Sequence, residues 1–205
     1  MSILLVDDHA IVRAGLRRLL ATLDDTAIRE AATGEEALAL ARLERPRLVV
    51  LDLNLPGISG LELLRRLVAE HGGLRVLVLS MHAEPLYAAR AMEAGARGFL
   101  SKNASADEVL LAVRKVSDGQ RHIQHDIAQE MALLSVGAGD PMGQLTEREL
   151  EILRLLAEGR SLGGIAEALG VGYKTIANAS TQLKSKLGVQ RTADLVRVAL
   201  GMRSG

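Results

Sequence analysis

Two patterns of apolar and polar positions alternate along the first 118 residues of the chain. Short continuous apolar runs, typical of strands buried on both faces of a sheet, alternate with segments of helical periodicity. The runs cover residues 3–6, 48–53, 76–79 and 98–100, with a weaker one at 27–31. The helical segments cover residues 9–23, 35–44, 60–71, 85–94 and 106–117. Five strands alternating with five helices predict a doubly wound, five-stranded parallel sheet of the α/β class.

The pattern changes after Gly119. Residues 120–135 predict a further helix, and the sequence "VGAGDPMG" that follows has the Gly and Pro content of a connecting segment. We therefore predict a first domain over residues 1–118, a linker with a helix over 119–143, and a second domain over 144–205.

The second domain begins with an explicit helix start. Thr146 and Glu149 have the spacing of a capping box, and Leu145 and Leu150 have the spacing of a hydrophobic staple. Gly159, Gly170 and Gly172 then separate this helix from a second and a third, and a fourth begins near residue 192. Four short helices predict a small all-α domain with the outline of a helix-turn-helix.

Composition excludes several classes of function. The only aromatic residues are Tyr87, Phe99 and Tyr173, so base stacking on an aromatic platform is not expected. The absence of cysteine excludes disulfides and thiolate metal sites. No apolar stretch approaches the length of a membrane span, so we expect no membrane association and a cytoplasmic location.

Charge is unevenly distributed, although the net charge is zero. Between residues 174 and 203 one acidic residue, Asp194, faces six basic ones: Lys174, Lys184, Lys186, Arg191, Arg197 and Arg203. Such a segment is either an electrostatic footprint for nucleic acid or a solvated helical surface.

Polar side chains stand at the ends of four predicted strands. Asp7 and Asp8 follow the first strand, and Asp52 ends the third. Ser80 ends the fourth strand, and Lys102 follows the fifth. Because a doubly wound sheet binds its ligand at the carboxyl ends of its strands, these five residues are the candidate site.

The three carboxylates of Asp7, Asp8 and Asp52 would stay ionised together only with a cation between them. At a separation of about 5 Å they would repel one another by about 3 kcal/mol per pair in a medium of effective dielectric constant about 20. Oxygen ligands without Cys or His favour Mg²⁺, which often shares a phosphate with the protein. Lys102 adds a positive charge for a phosphoryl oxygen, so we predict a magnesium site that handles phosphoryl groups.

The first 118 residues resemble the receiver domain of a bacterial two-component response regulator, which has a flavodoxin-like fold. The resemblance rests on the acidic pair, the Asp in "LDLNLPGISG", Ser80 and the Lys in "FLSK". It implies that Asp52 accepts a phosphoryl group from a sensor histidine kinase. It also implies that the chain is no enzyme beyond self-catalysed phosphoryl transfer to Asp52 and hydrolysis from it.

The same resemblance assigns roles around Asp52. Asp8 is implied to bind Mg²⁺ directly, Asp7 through water and Asn54 through its backbone carbonyl. Asp52 is a further implied ligand of the ion. Ser80 and Lys102 are implied to bind the phosphoryl oxygens. Phe99 matches the aromatic residue whose rotamer follows the hydroxyl residue and so acts as a switch.

Residues 145–200 resemble the LuxR-type helix-turn-helix in "LTERELEILRLLAEG", "IAEALGV", "KTI" and "KLGV". The whole chain is thus similar to regulators of the NarL/FixJ type. The resemblance makes the helix at 173–187 the recognition helix for the major groove of double-stranded DNA. Its predicted DNA-binding residues are Lys174, Thr175, Asn178, Thr181, Gln182, Lys184 and Lys186.

The helical domain departs from the family pattern. Leu162, Gly163 and Gly164 replace a polar and basic run, and Gly172 replaces a capping hydroxyl. Ala177 and Ala179 stand where a basic residue and a histidine are common. Two hypotheses therefore stay open: a transcription regulator whose DNA binding and homodimerisation are controlled by phosphorylation, or a phosphorylation-controlled module that contacts proteins through its helical domain.

Overall fold

The computed structural model of the protein describes residues 1–81, 84–136 and 145–201. Its strands are β1 (Ser2–Val6), β2 (Ala27–Ala31), β3 (Leu48–Asp52), β4 (Arg75–Ser80), β5 (Gly98–Ser101) and β6 (His122–Ile123). Its helices are α1 (Ala10–Leu20), α2 (Gly34–Glu44), α3 (Gly60–Glu70), α4 (Pro85–Glu93), α5 (Ala106–Ser117), α6 (His125–Val136), α7 (Glu147–Ala157), α8 (Leu162–Ala168), α9 (Tyr173–Lys186) and α10 (Thr192–Gly201). Over the ranges described, none of these helices has the length and apolarity that crossing a membrane requires.

The strands form one parallel sheet in the order β2-β1-β3-β4-β5-β6. The register places Val6 beside Leu51, Asp52 beside Leu79, and Ser80 beside Ser101. The carboxyl ends of β1, β3, β4 and β5 are therefore level with one another. The α/β doubly wound fold predicted from the sequence is confirmed, and all four polar strand ends lie at the same edge.

The apolar runs are continuous because the sheet is covered on both faces. Leu4 and Val6 of β1 belong to one buried cluster, whereas Ile3 and Leu5 belong to a second. Residues of α2, α3 and α4 complete the first cluster, and residues of α1 and α5 complete the second. Alternate residues of a strand thus pack against different helices, as the side-chain period of two requires.

The structure differs from the sequence prediction at residues 119–132. A sixth strand, β6, pairs with β5, and the first compact unit extends to Ala132 instead of ending at residue 118. The physical reason is apolar burial, since Ile127 is buried in the first cluster and Ile123 and Met131 pack against it. The predicted helix of the linker is present as α6, whereas residues 137–143 of the linker and residue 144 of the predicted second domain lie outside the described ranges.

The second unit contains the helix starts that the sequence predicts. Thr146 Oγ1 accepts a hydrogen bond from the Glu149 N–H, and Glu149 Oε2 accepts one from the Thr146 N–H, which confirms the capping box. Ser161 Oγ caps α8 by accepting from the Gly164 N–H. The turns after α7 and α8 use Gly159 and Gly170 at φ +80° and +62°, a backbone region that favours glycine.

Substitutions at two glycines test this fold, because Gly60 is closely surrounded by other atoms and Gly15 is not. A methyl group at Gly60 would lie 2.7 Å from the Leu53 carbonyl carbon, and closer to other backbone atoms of Leu53, whereas one at Gly15 in α1 would meet nothing within 4 Å. We expect Gly60→Ala to lower the free energy of unfolding by about 3 kcal/mol because backbone must move. Gly15→Ala should raise it by about 0.5–1 kcal/mol. Urea denaturation of both variants checks the pair, and equal stabilities would contradict the structure.

Candidate functional site

The five strand-end residues converge on one pocket at the carboxyl edge of the sheet. Asp7 and Asp52 are buried with 3% and 2% of their surfaces exposed, and Ser80 is 1% exposed. Lys102 enters the same pocket because its N–H donates to the Ser80 carbonyl oxygen at 2.8 Å, which continues the β4–β5 ladder past the end of β5. The predicted site is thus assembled by the sheet register.

Lys102 joins the two buried carboxylates. Its Nζ lies 2.6 Å from Asp7 Oδ2 and 2.7 Å from Asp52 Oδ2, and its side chain is 6% exposed. A buried ammonium between two carboxylates forms short, charge-assisted hydrogen bonds in a region that water screens weakly. Lys102 therefore connects the carboxylates at the carboxyl ends of β1 and β3.

The second oxygen of each carboxylate accepts a backbone hydrogen bond from two residues ahead. The His9 N–H donates to Asp7 Oδ1 at 2.8 Å, and the Asn54 N–H donates to Asp52 Oδ1 at 3.1 Å. These local bonds fix the turn after each strand and aim both carboxylates across the sheet edge. Asn54 is half-buried beside Asp52.

Burial and charge oppose one another in this pocket. Burial raises the pKa of Asp52 above its usual value, although the hydrogen bonds from Lys102 and the Asn54 N–H act in the opposite direction. For Lys102 burial acts to lower the pKa, but the hydrogen bonds to Asp52 and Asp7 outweigh it, so the net pKa is raised. The two carboxylates therefore favour the charged form of Lys102, whereas burial disfavours the charged form of Asp52.

The acidic pocket has the donor set for a divalent cation. Ligand atoms of Asp7, Asp8, His9 and Asp52 all lie within 4.8 Å of one another. One ammonium offsets only part of the negative charge of three carboxylates, so a further cation is favoured. Oxygen-rich donor sets of this kind fit Mg²⁺.

His9 is one of two residues at the pocket that the sequence did not predict. Its Nδ1 lies 2.7 Å from Asp8 Oδ1 and 3.4 Å from Asp7 Oδ1, and its side chain is 63% exposed. Arg13 is a second omission, because its Nη1 donates to the Asp7 carbonyl oxygen at 2.6 Å. The signal for His9 is its position directly after the acidic pair, whereas Arg13 reaches Asp7 only through the first turn of α1.

Phe99 lies on β5, three residues before Lys102. The ring is fully buried and belongs to the same cluster as Val78 of the neighbouring strand and Ala88 and Ala91 of α4. Ser80, the other predicted switch residue, is buried at the end of β4. The structure thus brings together the acidic pair, Asp52, Asn54 and Lys102, with Ser80 at the end of the neighbouring strand β4.

Helix α9 of the second unit buries one face and exposes another. Ile176, Ser180 and Leu183 are buried. The exposed residues include six of the predicted DNA-binding residues, and Lys184 is half-exposed; the six are Lys174, Thr175, Asn178, Thr181, Gln182 and Lys186. Thr181 Oγ1 donates to the Ala177 carbonyl oxygen at 3.0 Å, which leaves the hydroxyl oxygen as an acceptor.

Lys186 differs from the other predicted DNA contacts. Its Nζ lies 2.7 Å from Glu149 Oε2, the buried carboxylate of the capping box. Burial acts to raise the pKa of Glu149, but the bonds from Lys186 and Thr146 prevail and lower it. The lysine thus fastens the end of α9 to the start of α7, a role that the sequence does not reveal because the partners are 37 residues apart.

Both parts of the chain match described protein families. Residues 3–114 match the family described as "Response regulator receiver domain", and residues 143–199 match "Bacterial regulatory proteins, luxR family". These ranges fall on the α/β unit and on the helical unit, respectively.

Individual proteins are similar over nearly the whole chain. "Transcriptional activator protein ExaE" of Pseudomonas putida is 45% identical over 205 residues, which cover 98% of this chain and 96% of that protein. "Response regulator UvrY" of Escherichia coli K12 is 37% identical over 204 residues, covering 98% and 94%. A crystal structure of a LuxR-family two-component response regulator from Aurantimonas sp. SI85-9A1 is 41% identical with a TM-score of 0.64, covering 66% of this chain and 98% of that one.

Proposed function

The chain belongs to the family of response regulators in which a receiver domain precedes a LuxR-type domain, and from this premise we propose that its activity is controlled by phosphorylation of Asp52. The observation that carries the proposal is the geometry around Asp52, which ends β3 inside a pocket that also holds the Lys102 ammonium. A sensor histidine kinase is the proposed phosphoryl donor, and the protein acts in the cytoplasm.

The proposed reaction uses an Asp52 carboxylate oxygen as the nucleophile. It forms a bond to phosphorus as the bond from phosphorus to the donor histidine nitrogen breaks, and the histidine leaves with a proton from solvent. Burial raises the pKa of Asp52, which makes this oxygen more basic. The product is an acyl phosphate, and Lys102 and Ser80 are the proposed partners of its oxygens.

The residues present fit a bound Mg²⁺. Asp8 and Asp52 are the proposed direct ligands, with Asp7 acting through water and Asn54 through its backbone carbonyl. When bound, the ion supplies positive charge that offsets the carboxylates and the incoming phosphoryl oxygens. Lys102 is then free to exchange its carboxylate contacts for the phosphoryl group.

Incubation with acetyl phosphate and Mg²⁺, followed by intact-mass spectrometry, tests the proposed phosphorylation. We expect the mass to increase by one phosphoryl group and the adduct to be released by hydroxylamine, which cleaves acyl phosphates. A stable adduct that resists hydroxylamine would contradict an aspartyl phosphate. Chelation of Mg²⁺ should prevent the reaction.

The proposed output is binding to double-stranded DNA by a homodimer that forms on phosphorylation. The exposed face of α9 carries Lys174 and Lys184 for phosphate contacts and Asn178 and Gln182 for base edges. The relative named as a transcriptional activator supports this output. We leave Lys186 out of the proposed contacts because Glu149 already holds its ammonium group.

One observation favours a second candidate output. Ala177 and Ala179, both half-buried, stand in α9 where the LuxR-type pattern commonly has a basic residue and a histidine. A helical domain with few phosphate contacts is also compatible with binding a protein partner. Loss of DNA binding at all salt concentrations, with dimerisation retained, would select this alternative.

Two lysines of α9 give matched variants for the DNA proposal. Lys184→Met should reduce the slope of log K against log salt by about one for each recognition helix, because one phosphate contact is lost. Lys186→Met should leave this slope unchanged but lower the free energy of unfolding by about 1 kcal/mol, because a buried carboxylate loses a partly exposed partner.

The pH dependence separates the two lysines further. The lowered pKa of Glu149 contributes stability above its unfolded-state pKa, and this contribution disappears as the pH falls through the folded-state pKa. The stability deficit of Lys186→Met should therefore vanish in acid, whereas Lys184→Met should show none at any pH. DNA titrations and urea denaturation measure both effects, and a reduced salt slope in Lys186→Met would contradict the assignment.

A further inference from the structure

The outer edge of β5 is bonded to the segment that follows α5. The His122 N–H donates to the Arg97 carbonyl oxygen at 3.0 Å, and the Gln124 N–H donates to the Phe99 carbonyl oxygen at 3.1 Å. One step further, the Ser101 N–H donates to the side-chain Oε1 of Gln124 at 2.9 Å. The Gln124 side chain thus extends the β5–β6 ladder to the residue directly before Lys102.

Gln124 is also the residue from which α6 starts. Its carbonyl oxygen accepts from the Ala128 N–H at 2.9 Å, the first hydrogen bond of the helix. Its Nε2 donates to Asp126 Oδ2 at 3.3 Å, and Asp126 Oδ1 accepts from the Ile127 N–H at 3.0 Å. A single side chain therefore bonds the end of β5 and the first turn of α6 together.

Apolar packing connects the same two elements. Ile127 of α6 is 3% exposed and lies in the buried cluster that contains Phe99. Met131, one turn further along, packs against that cluster. Helix α6 therefore contacts β5 both through the hydrogen bonds of Gln124 and through the cluster around the Phe99 ring.

We propose that Gln124 is a positioning residue that couples the Asp52 pocket to α6. This proposal rests on the proposed phosphorylation of Asp52. When Lys102 exchanges Asp7 and Asp52 for a phosphoryl group, the backbone before it shifts, and the Ser101 N–H transmits the shift to Gln124. Because Gln124 begins α6, the change reaches the segment that leads along the chain to the LuxR-type domain.

Three variants of the full chain isolate this bond. Gln124→Leu keeps the side-chain size and removes the acceptor for the Ser101 N–H. Gln120→Leu is the matched control, because Gln120 is exposed and only its backbone N–H has a described bond, to Lys115. Gln124→Glu combined with Asp126→Asn is the rescue, because it restores the acceptor and reverses the direction of the bond between the two side chains.

The test measures two quantities with Mg²⁺ and beryllofluoride, a mimic of the phosphoryl group. Fluorine NMR reports beryllofluoride bound at Asp52, and amide hydrogen exchange reports the protection of residues 126–132 in α6. In the wild type and in Gln120→Leu we expect binding and a severalfold change in protection. In Gln124→Leu we expect unchanged binding and loss of the protection change, which the double variant restores.

Three results would overturn the proposal, each in a recognisable way. A full protection change in Gln124→Leu would show that α6 responds without this bond. Loss of beryllofluoride binding in Gln124→Leu would make Gln124 part of the pocket's own architecture. Absence of bound beryllofluoride in the wild type would overturn the proposed function of Asp52 itself, and the coupling with it.

Discussion

Asp52→Asn is expected to abolish both the phosphoryl adduct and the dimerisation that we assign to it. The change removes the nucleophilic carboxylate while keeping the size and shape of the side chain. Lys102 retains its partner Asp7, and the Asn54 N–H retains an oxygen acceptor, so the pocket should stay folded. Because the pKa of Asp52 is raised by burial, removing its charge should not lower the free energy of unfolding.

Asp24→Asn provides the control, because Asp24 is exposed and lies in the turn between α1 and β2. It should accept a phosphoryl group from acetyl phosphate as the wild type does. Intact mass and light scattering with and without the donor measure adduct and dimer. A phosphoryl adduct on Asp52→Asn, or dimerisation of this variant with the donor, would contradict the assignment of Asp52 as the phosphorylated residue.

Lys102→Met is expected to cause the largest loss of stability among the pocket variants. The substitution leaves Asp7 and Asp52 buried and facing each other with no ammonium between them. Removing one partner of a buried ion pair lowers the free energy of unfolding by about 3–5 kcal/mol. Mg²⁺ should restore part of this loss, because a divalent cation also offsets the carboxylates.

The pH dependence of this loss has a definite sign. Without the ammonium the already raised pKa of Asp52 rises further, so the carboxyl becomes neutral at a higher pH. The stability deficit of Lys102→Met should therefore shrink as the pH is lowered through that pKa. Lys115→Met is the control, since Lys115 has no ion pair within the described ranges. A deficit that is independent of both pH and Mg²⁺ would argue against the buried ion pair.

The α/β fold and the location of the pocket could be predicted because both follow from local pattern. Strands buried on both faces are continuous apolar runs, and a parallel sheet brings their carboxyl ends to one edge. The sequence alone therefore predicts that Asp52, Ser80 and Lys102 lie at the same edge of the sheet. The capping box at Thr146 and Glu149 is equally local, and it is confirmed.

The features that the sequence does not reveal depend on distant partners. Strand β6 has two half-buried residues and exists because the edge of β5 supplies its hydrogen bonds. The sequence predicts Lys186 as a phosphate-binding lysine, whereas the structure shows that it forms an ion pair with Glu149. Gln124 likewise carries no motif, since its importance comes from the Ser101 N–H that it meets across the sheet edge.

The most direct measurement of phosphorylation-gated DNA binding is fluorescence anisotropy of labelled genomic DNA fragments, titrated against salt with and without Mg²⁺ and beryllofluoride. We predict tighter binding with the mimic and a slope of log K against log salt of about −4, from about four phosphate contacts made by two copies of Lys174 and Lys184. Asp52→Asn should show no response to the mimic. A dimer that forms with beryllofluoride but ignores DNA even at low salt would contradict the account and direct the search to protein partners of α9.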